Sequence, residues 1–177
     1  MTGWLSIALL AAVASKPAVI PVLKPHALAA SQPAVANFTL TVSPATISFN
    51  ATNPGTVPVV AGSATATASW TAIASGNNWS LTVQAASSTF INCSTVPVSA
   101  VTVSCSSVSV SGLGASGSCA GSFPLSTSPQ AVASGSEGTV SINYSVTIGF
   151  TLADNWKYIA ETSPACTISL TYTANVP

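Results

Sequence analysis

Residues 139–152, TVSINYSVTIGFTL, place Val140, Ile142, Tyr144, Val146, Ile148, Phe150 and Leu152 at every second position. Between them stand hydroxyl residues, one asparagine and one glycine, and none carries a charge. Successive side chains of a strand point to opposite faces, so alternation this strict predicts a β-strand with one buried and one solvent-facing side. The outer side is then made of hydroxyls and an amide rather than of ions.

The same period runs along the chain. Phe38, Leu40 and Val42 are in phase, as are Ile47 and Phe49, then Trp79, Leu81, Val83 and Ala85, and finally Ile168, Leu170, Tyr172 and Ala174. Ala64, Ala66, Ala68 and Trp70 form a further set, whose small residues predict close approach of another element. NATNPG at 50–55, SGNN at 75–78 and the glycine loop SGLGASG at 111–117 carry the Asn, Pro and Gly residues that favour turns. Eight to ten strands with turn signals about every 8–12 residues predict an all-β fold, an antiparallel β-sandwich of the immunoglobulin-like or jelly-roll-like kind, in a single domain.

Charge excludes some functions. Charged residues make up 3% of the chain, against roughly 25% in an ordinary soluble domain. Beyond residue 30 the only basic side chain is Lys157, too little to neutralise phosphates, so nucleic acid is not a partner. No stretch reaches the roughly 18 uninterrupted apolar residues of a spanning helix. Barrel strands of an outer membrane also alternate, but aromatics at 7% are thin for two girdles.

The N-terminus has an apolar run of signal-peptide length from Trp4 to Ala14, and AVA at 12–14 and ALA at 27–29 fit the small-x-small cleavage pattern. Residues 1–30 read as a leader and 31–177 as the sandwich domain, with an extended N-terminal strand at 31–42. The expected location is secreted, at the cell surface, with no membrane span once the leader is removed. A domain of about 145 residues buries about two-thirds of its unfolded surface and can hold a core.

Cys93, Cys105, Cys119 and Cys166 lack the short paired spacings and the histidines of zinc sites. In an exported chain they read as two disulfides, for which three pairings exist. Locality favours Cys93–Cys105 with Cys119–Cys166 over Cys105–Cys119 with Cys93–Cys166. Five asparagines, Asn37, Asn50, Asn78, Asn92 and Asn143, open N-x-Ser/Thr glycosylation signals. Asn37, Asn78 and Asn143 each precede an inward-phase aromatic and so are expected to point outward, where a sugar can attach.

Beyond residue 30 the carboxylates are Glu137, Asp154 and Glu161, all at turns, where solvated loop acids are expected. There is no arginine, and the single histidine, His26, lies in the leader, so neither a Ser-His-Asp triad nor a neutral-pH general base can be assembled. Three carboxylates are also too few for a calcium cage. The chain reads as no enzyme and as holding no cofactor or metal. Candidate binding residues are aromatic: Trp79, and Trp156 with Tyr158 in DNWKY, where a stacking platform for a sugar competes with a plain packing role.

NNWSLTVQA and CTISLTYTANVP give the chain a resemblance to the WxL-type surface domains of bacteria. Trp79, Ser80 and Leu81 match the first motif of that family, while Tyr172 and Ala174 stand where its second motif has Trp and Leu. The resemblance implies a secreted β-sandwich and non-covalent attachment to cell-wall peptidoglycan. Two functions are expected, the first from an exported sandwich without catalytic groups and with an extended N-terminal segment. The first is a self-associating structural subunit of a filament, pilus-like fibre or coat, whose partner is another copy of itself, with PAVANFTLTV adding as a strand to a neighbour's edge. The second is an adhesion module for wall polymer or glycan.

Overall fold

The computed structural model describes residues 3–8, 36–51, 59–72, 77–153, 158 and 166–176. In chain order the strands are β1 (Gly3–Ala8), β2 (Ala36–Ser43), β3 (Thr46–Ala51), β4 (Val59–Ala72), β5 (Asn78–Ala85), β6 (Thr89–Phe90) and β7 (Cys93–Pro97). After a 3-10 turn at Val98–Ala100 come β8 (Val101–Leu113), β9 (Ser118–Cys119), β10 (Phe123–Pro124), β11 (Gln130–Ser136), β12 (Thr139–Leu152) and β13 (Leu170–Asn175). No α-helix occurs among the described residues.

Two antiparallel sheets carry the fold, one ordered β10-β8-β12-β4-β2 and the other β13-β5-β11-β9. Their inward side chains enter one shared core, which makes the all-β sandwich expected from the alternation. The central pair, β4 and β12, shows why the sequence alternates as it does. Ile148 lies opposite Ala64, Val146 opposite Ala66 and Tyr144 opposite Ala68, so along this stretch three large residues of β12 meet three small ones on β4. Large facing small is how two strands fill a layer without voids or overlap.

Two departures from the alternation have local causes. Val140, in phase with the buried residues of β12, is 68% exposed. Its φ of 77° turns the backbone over, and the pairing of β12 with β8 slips between Thr139 and Asn143. Left-handed backbone at a β-branched residue is a true outlier. The glycine stretch at 111–117 is only half a loop, because Ser111–Leu113 belong to β8 and the reversal begins at Gly114.

The disulfides correct the pairing favoured by locality. The bonds are Cys93–Cys166 and Cys105–Cys119, with Cα separations of 5.4 and 5.3 Å, well inside the range a bridge tolerates. Locality fails because β7 and β8, on either side of the 3-10 turn at Val98–Ala100, belong to different sheets, β7 pairing with β6 and β8 with β12 and β10. The partner of Cys93 arrives from the far end of the chain, where Ile91 and Thr167 exchange backbone hydrogen bonds of 2.7 and 3.1 Å. Cys105–Cys119 ties β8 of one sheet to β9 of the other, closing that flank of the sandwich.

The N-terminal strand expected to reach out to a neighbour lies in its own sheet. Residues 39–43 of β2 pair residue by residue with Ser69 to Thr65 of β4, with an irregularity between Ala36 and Thr39. Gly3–Ala8, within the segment read as a leader, is extended and pairs with β3, where Asn50 lies opposite Trp4. The cleavage sites near residue 30, Asp154, Trp156, Lys157 and Glu161 fall outside the described residues.

Candidate functional site

Aromatic rings gather at one end of the sandwich. Phe38, Trp70, Tyr144 and Trp79 come from β2, β4, β12 and β5 and form one column, with ring centroids 6.3, 4.9 and 4.1 Å apart in that order. The period of two put them there: each sits at an inward position near the same end of its strand. Three of the four follow the asparagine of a glycosylation signal. Asn37, Asn78 and Asn143 are exposed, as their phase implies, and so is Asn92.

Each polar aromatic in the column finds a partner, as buried Trp and Tyr usually do. The Trp79 indole N–H donates to the Ser116 carbonyl at 3.1 Å, and the Tyr144 hydroxyl donates to the Ser136 carbonyl at 2.9 Å. Ser116 and Ser136 also exchange two backbone hydrogen bonds of 3.1 Å, and their hydroxyls lie 2.7 Å apart. The turn after β8 and the end of β11 are thus clamped together over the column.

That clamp needs Gly135. A methyl group there would lie 1.9 Å from the Ser116 carbonyl oxygen and 2.7 Å from the Trp79 indole nitrogen. Gly135→Ala must push two backbones apart, and overpacking of this kind costs about 2 kcal/mol. A urea titration of the variant is expected to show that loss, with reduced near-ultraviolet dichroism from Trp79.

Glu137 corrects the expectation of a solvated loop acid. It is only 4% exposed, and its Oε1 accepts the Trp70 indole N–H at 2.6 Å. The turn folds inward because the Glu137 N–H donates to the Asn77 carbonyl at 2.7 Å. Gly138 lets the chain pass close by, since a Cβ there would fall 2.3 Å from the Leu113 carbonyl oxygen. The nearby charge of Glu137 adds to burial, the larger cause, in pushing the Tyr144 phenol up to about 12.

Two shallow hollows flank the column on the outer surface. One, of about 690 Å³, lies between β5, β11 and β13 and is walled by Asn78, Ser80, Ser134, Ser136 and Asn175. The Asn175 amide donates to the Ser80 hydroxyl there at 3.3 Å. The other, of about 300 Å³, is lined by Asn37, Ser69, Ser111, Ser141 and Asn143. Among the described residues neither wall carries an ionisable side chain, and both offer neutral hydroxyl and amide hydrogen bonds. Trp79 lies beneath the first hollow at 3% exposure, and Tyr158 is half-buried against the core. Neither ring is a free stacking face.

The hollows and the Glu137–Trp70 contact are not visible in the sequence, since each draws on strands far apart in the chain. The one signal for Glu137 was the glycine on either side of it, at 135 and 138. No family model matches the chain, and no curated protein or solved structure is found to match it either.

Proposed function

We propose that the protein is a non-catalytic structural domain of an extracellular surface, a subunit that associates with further copies of itself through its strand edges. The observation that carries this reading is the flank opposite the Cys105–Cys119 bridge. There, among the described residues, the two sheets end in β2 and β13, neither of which contains a charged residue. Charge on an edge strand is one of the devices that keep its N–H and C=O groups from another chain, and these two strands lack it. Two disulfides fit an oxidising compartment. No helix among the described residues is long and apolar enough to cross a membrane.

The position of β2 supports strand exchange as the mode. The ladder it makes with its own β4 is the ladder it would make with β4 of a neighbour, so exchange between copies keeps every pair. The full chain is expected to form filaments visible by negative stain. Deleting residues 31–42 removes them, and adding a peptide of residues 31–43 to the deleted chain restores folded single subunits. Unchanged filaments from the deleted chain would overturn this mode.

A second reading, attachment to wall polymer or glycan, draws on one specific observation. The two segments that resemble WxL domains are neighbouring strands, with Ala174 opposite Leu81 and Asn175 opposite Ser80, and both line the larger hollow. Under this reading the chain is retained on purified peptidoglycan and Asn175→Ala releases it.

A further inference from the structure

We propose that two copies of the chain pair edge to edge through β13, antiparallel about a two-fold axis at Tyr172. The inference rests on the reading of self-association and names a contact distinct from strand exchange at β2. It starts from how the four sheet ends are finished. β10 is two residues long and ends in Pro124, and β9 is two residues long and bridged to β8. β2 is irregular between Ala36 and Thr39, with Asn37 at a φ of 58°. Short strands, proline and bulges are the devices by which proteins blunt their edges. β13 has none of them. It runs in unbroken register with β5 from Leu170 to Asn175, and no described strand pairs with its other side.

The occupant follows from the strand's own sequence. Residues directly opposite in an antiparallel pair share a face. With the axis at Tyr172, Leu170 lies opposite Ala174 of the second copy and Thr171 opposite Thr173, with Tyr172 against itself. Leu170 and Tyr172 are buried on the inner face, while Thr171 is half-buried and Thr173 exposed on the outer one. The pairing therefore sets large against small and ring against ring inside, and threonine against threonine outside. Threonine pairs and aromatic pairs are both favourable across strands. No charge occurs from 166 to 176 to oppose the approach. A contact of this kind is self-complementary and closes at two chains.

Native mass spectrometry of the full chain, with analytical ultracentrifugation, tests it. The wild type is expected as a particle of two chains. Thr171→Lys with Thr173→Lys sets lysine opposite lysine twice across the axis and weakens association about tenfold or more. Thr171→Glu with Thr173→Glu does the same, and an equimolar mixture of the two variants restores the two-chain particle as a mixed pair. Near-ultraviolet dichroism confirms that each variant is folded. A single-chain wild type, a lysine variant that pairs as the wild type does, or folded variants that fail to restore pairing on mixing would each overturn the assignment. Exchange at β2 builds chains of any length, whereas this contact stops at two. A two-chain particle without filaments keeps this pairing and loses the exchange. Filaments that form although the wild type shows no two-chain particle do the reverse.

Discussion

Tyr144→Ala is expected to lower the stability of the domain by about 4 kcal/mol, the range for deleting a large aromatic from a packed core. Tyr144 is the middle of the ring column, touching Trp70 on one side and Trp79 on the other. It lies opposite Ala68, and an alanine facing an alanine leaves a cavity that neither strand can close. The change also removes the donor to the Ser136 carbonyl. Tyr144→Phe keeps the ring and loses only that hydrogen bond, at about 1 kcal/mol. Urea unfolding of the two variants separates the packing from the polar contribution. A loss below that of Tyr144→Phe for the alanine variant would mean that the column does not hold the two sheets together.

The same residue gives the fold an alkaline limit. Burial, and after it the charge of Glu137, pushes the Tyr144 phenol from 10.0 to about 12. Burial alone moves Tyr172 in the same direction. A phenol whose pKa is raised on folding stabilises the domain fully below pH 10, where both states hold the proton. Between pH 10 and about 12 the unfolded chain releases a proton that the folded chain keeps, so stability falls as pH rises. Urea midpoints that decline through this window in the wild type are expected to decline less in Tyr144→Phe with Tyr172→Phe. The Tyr172 hydroxyl is buried with no hydrogen-bond partner among the described residues. Tyr172→Phe is therefore neutral or stabilising at neutral pH, because it relieves an unmet group rather than breaking a bond.

What was legible in the sequence is what depends on strand period alone. Ile142 to Leu152, Ala64 to Trp70 and Trp79 to Ala85 are buried at every second residue, as their phase requires. The outward aim of Asn37, Asn78 and Asn143 follows from the same rule. Illegible were the features set by contacts between distant segments. Glu137 is polar and sits at a turn, yet it is drawn inward because Trp70, 67 residues away, needs an acceptor. Val140 keeps its phase and still faces solvent, because a slip against β8 turns it over. The hollows beside the column gather single residues from several strands, and no local pattern marks them.

The disulfides show the same division between local and distant order, and their removal has a large expected effect. Cys93→Ala with Cys166→Ala opens a loop with a separation of 73 residues, which in the chain-entropy model costs about 4 kcal/mol. Cys105→Ala with Cys119→Ala opens one with a separation of 14, worth about 3 kcal/mol. Access runs in the opposite order to contribution. Cys93 and Cys166 are buried, whereas Cys119 is exposed. A thiol reductant therefore reaches Cys105–Cys119 in the folded chain and Cys93–Cys166 only after unfolding. Alkylation of the native protein under mild reduction is expected to label Cys105 and Cys119 first, with the ring column still dichroic in the near ultraviolet. Label at Cys93 and Cys166 should appear together with the loss of that signal. Simultaneous labelling of all four in a folded chain would show that the bridge near Ile91 and Thr167 is open to solvent, and the order of access would fall.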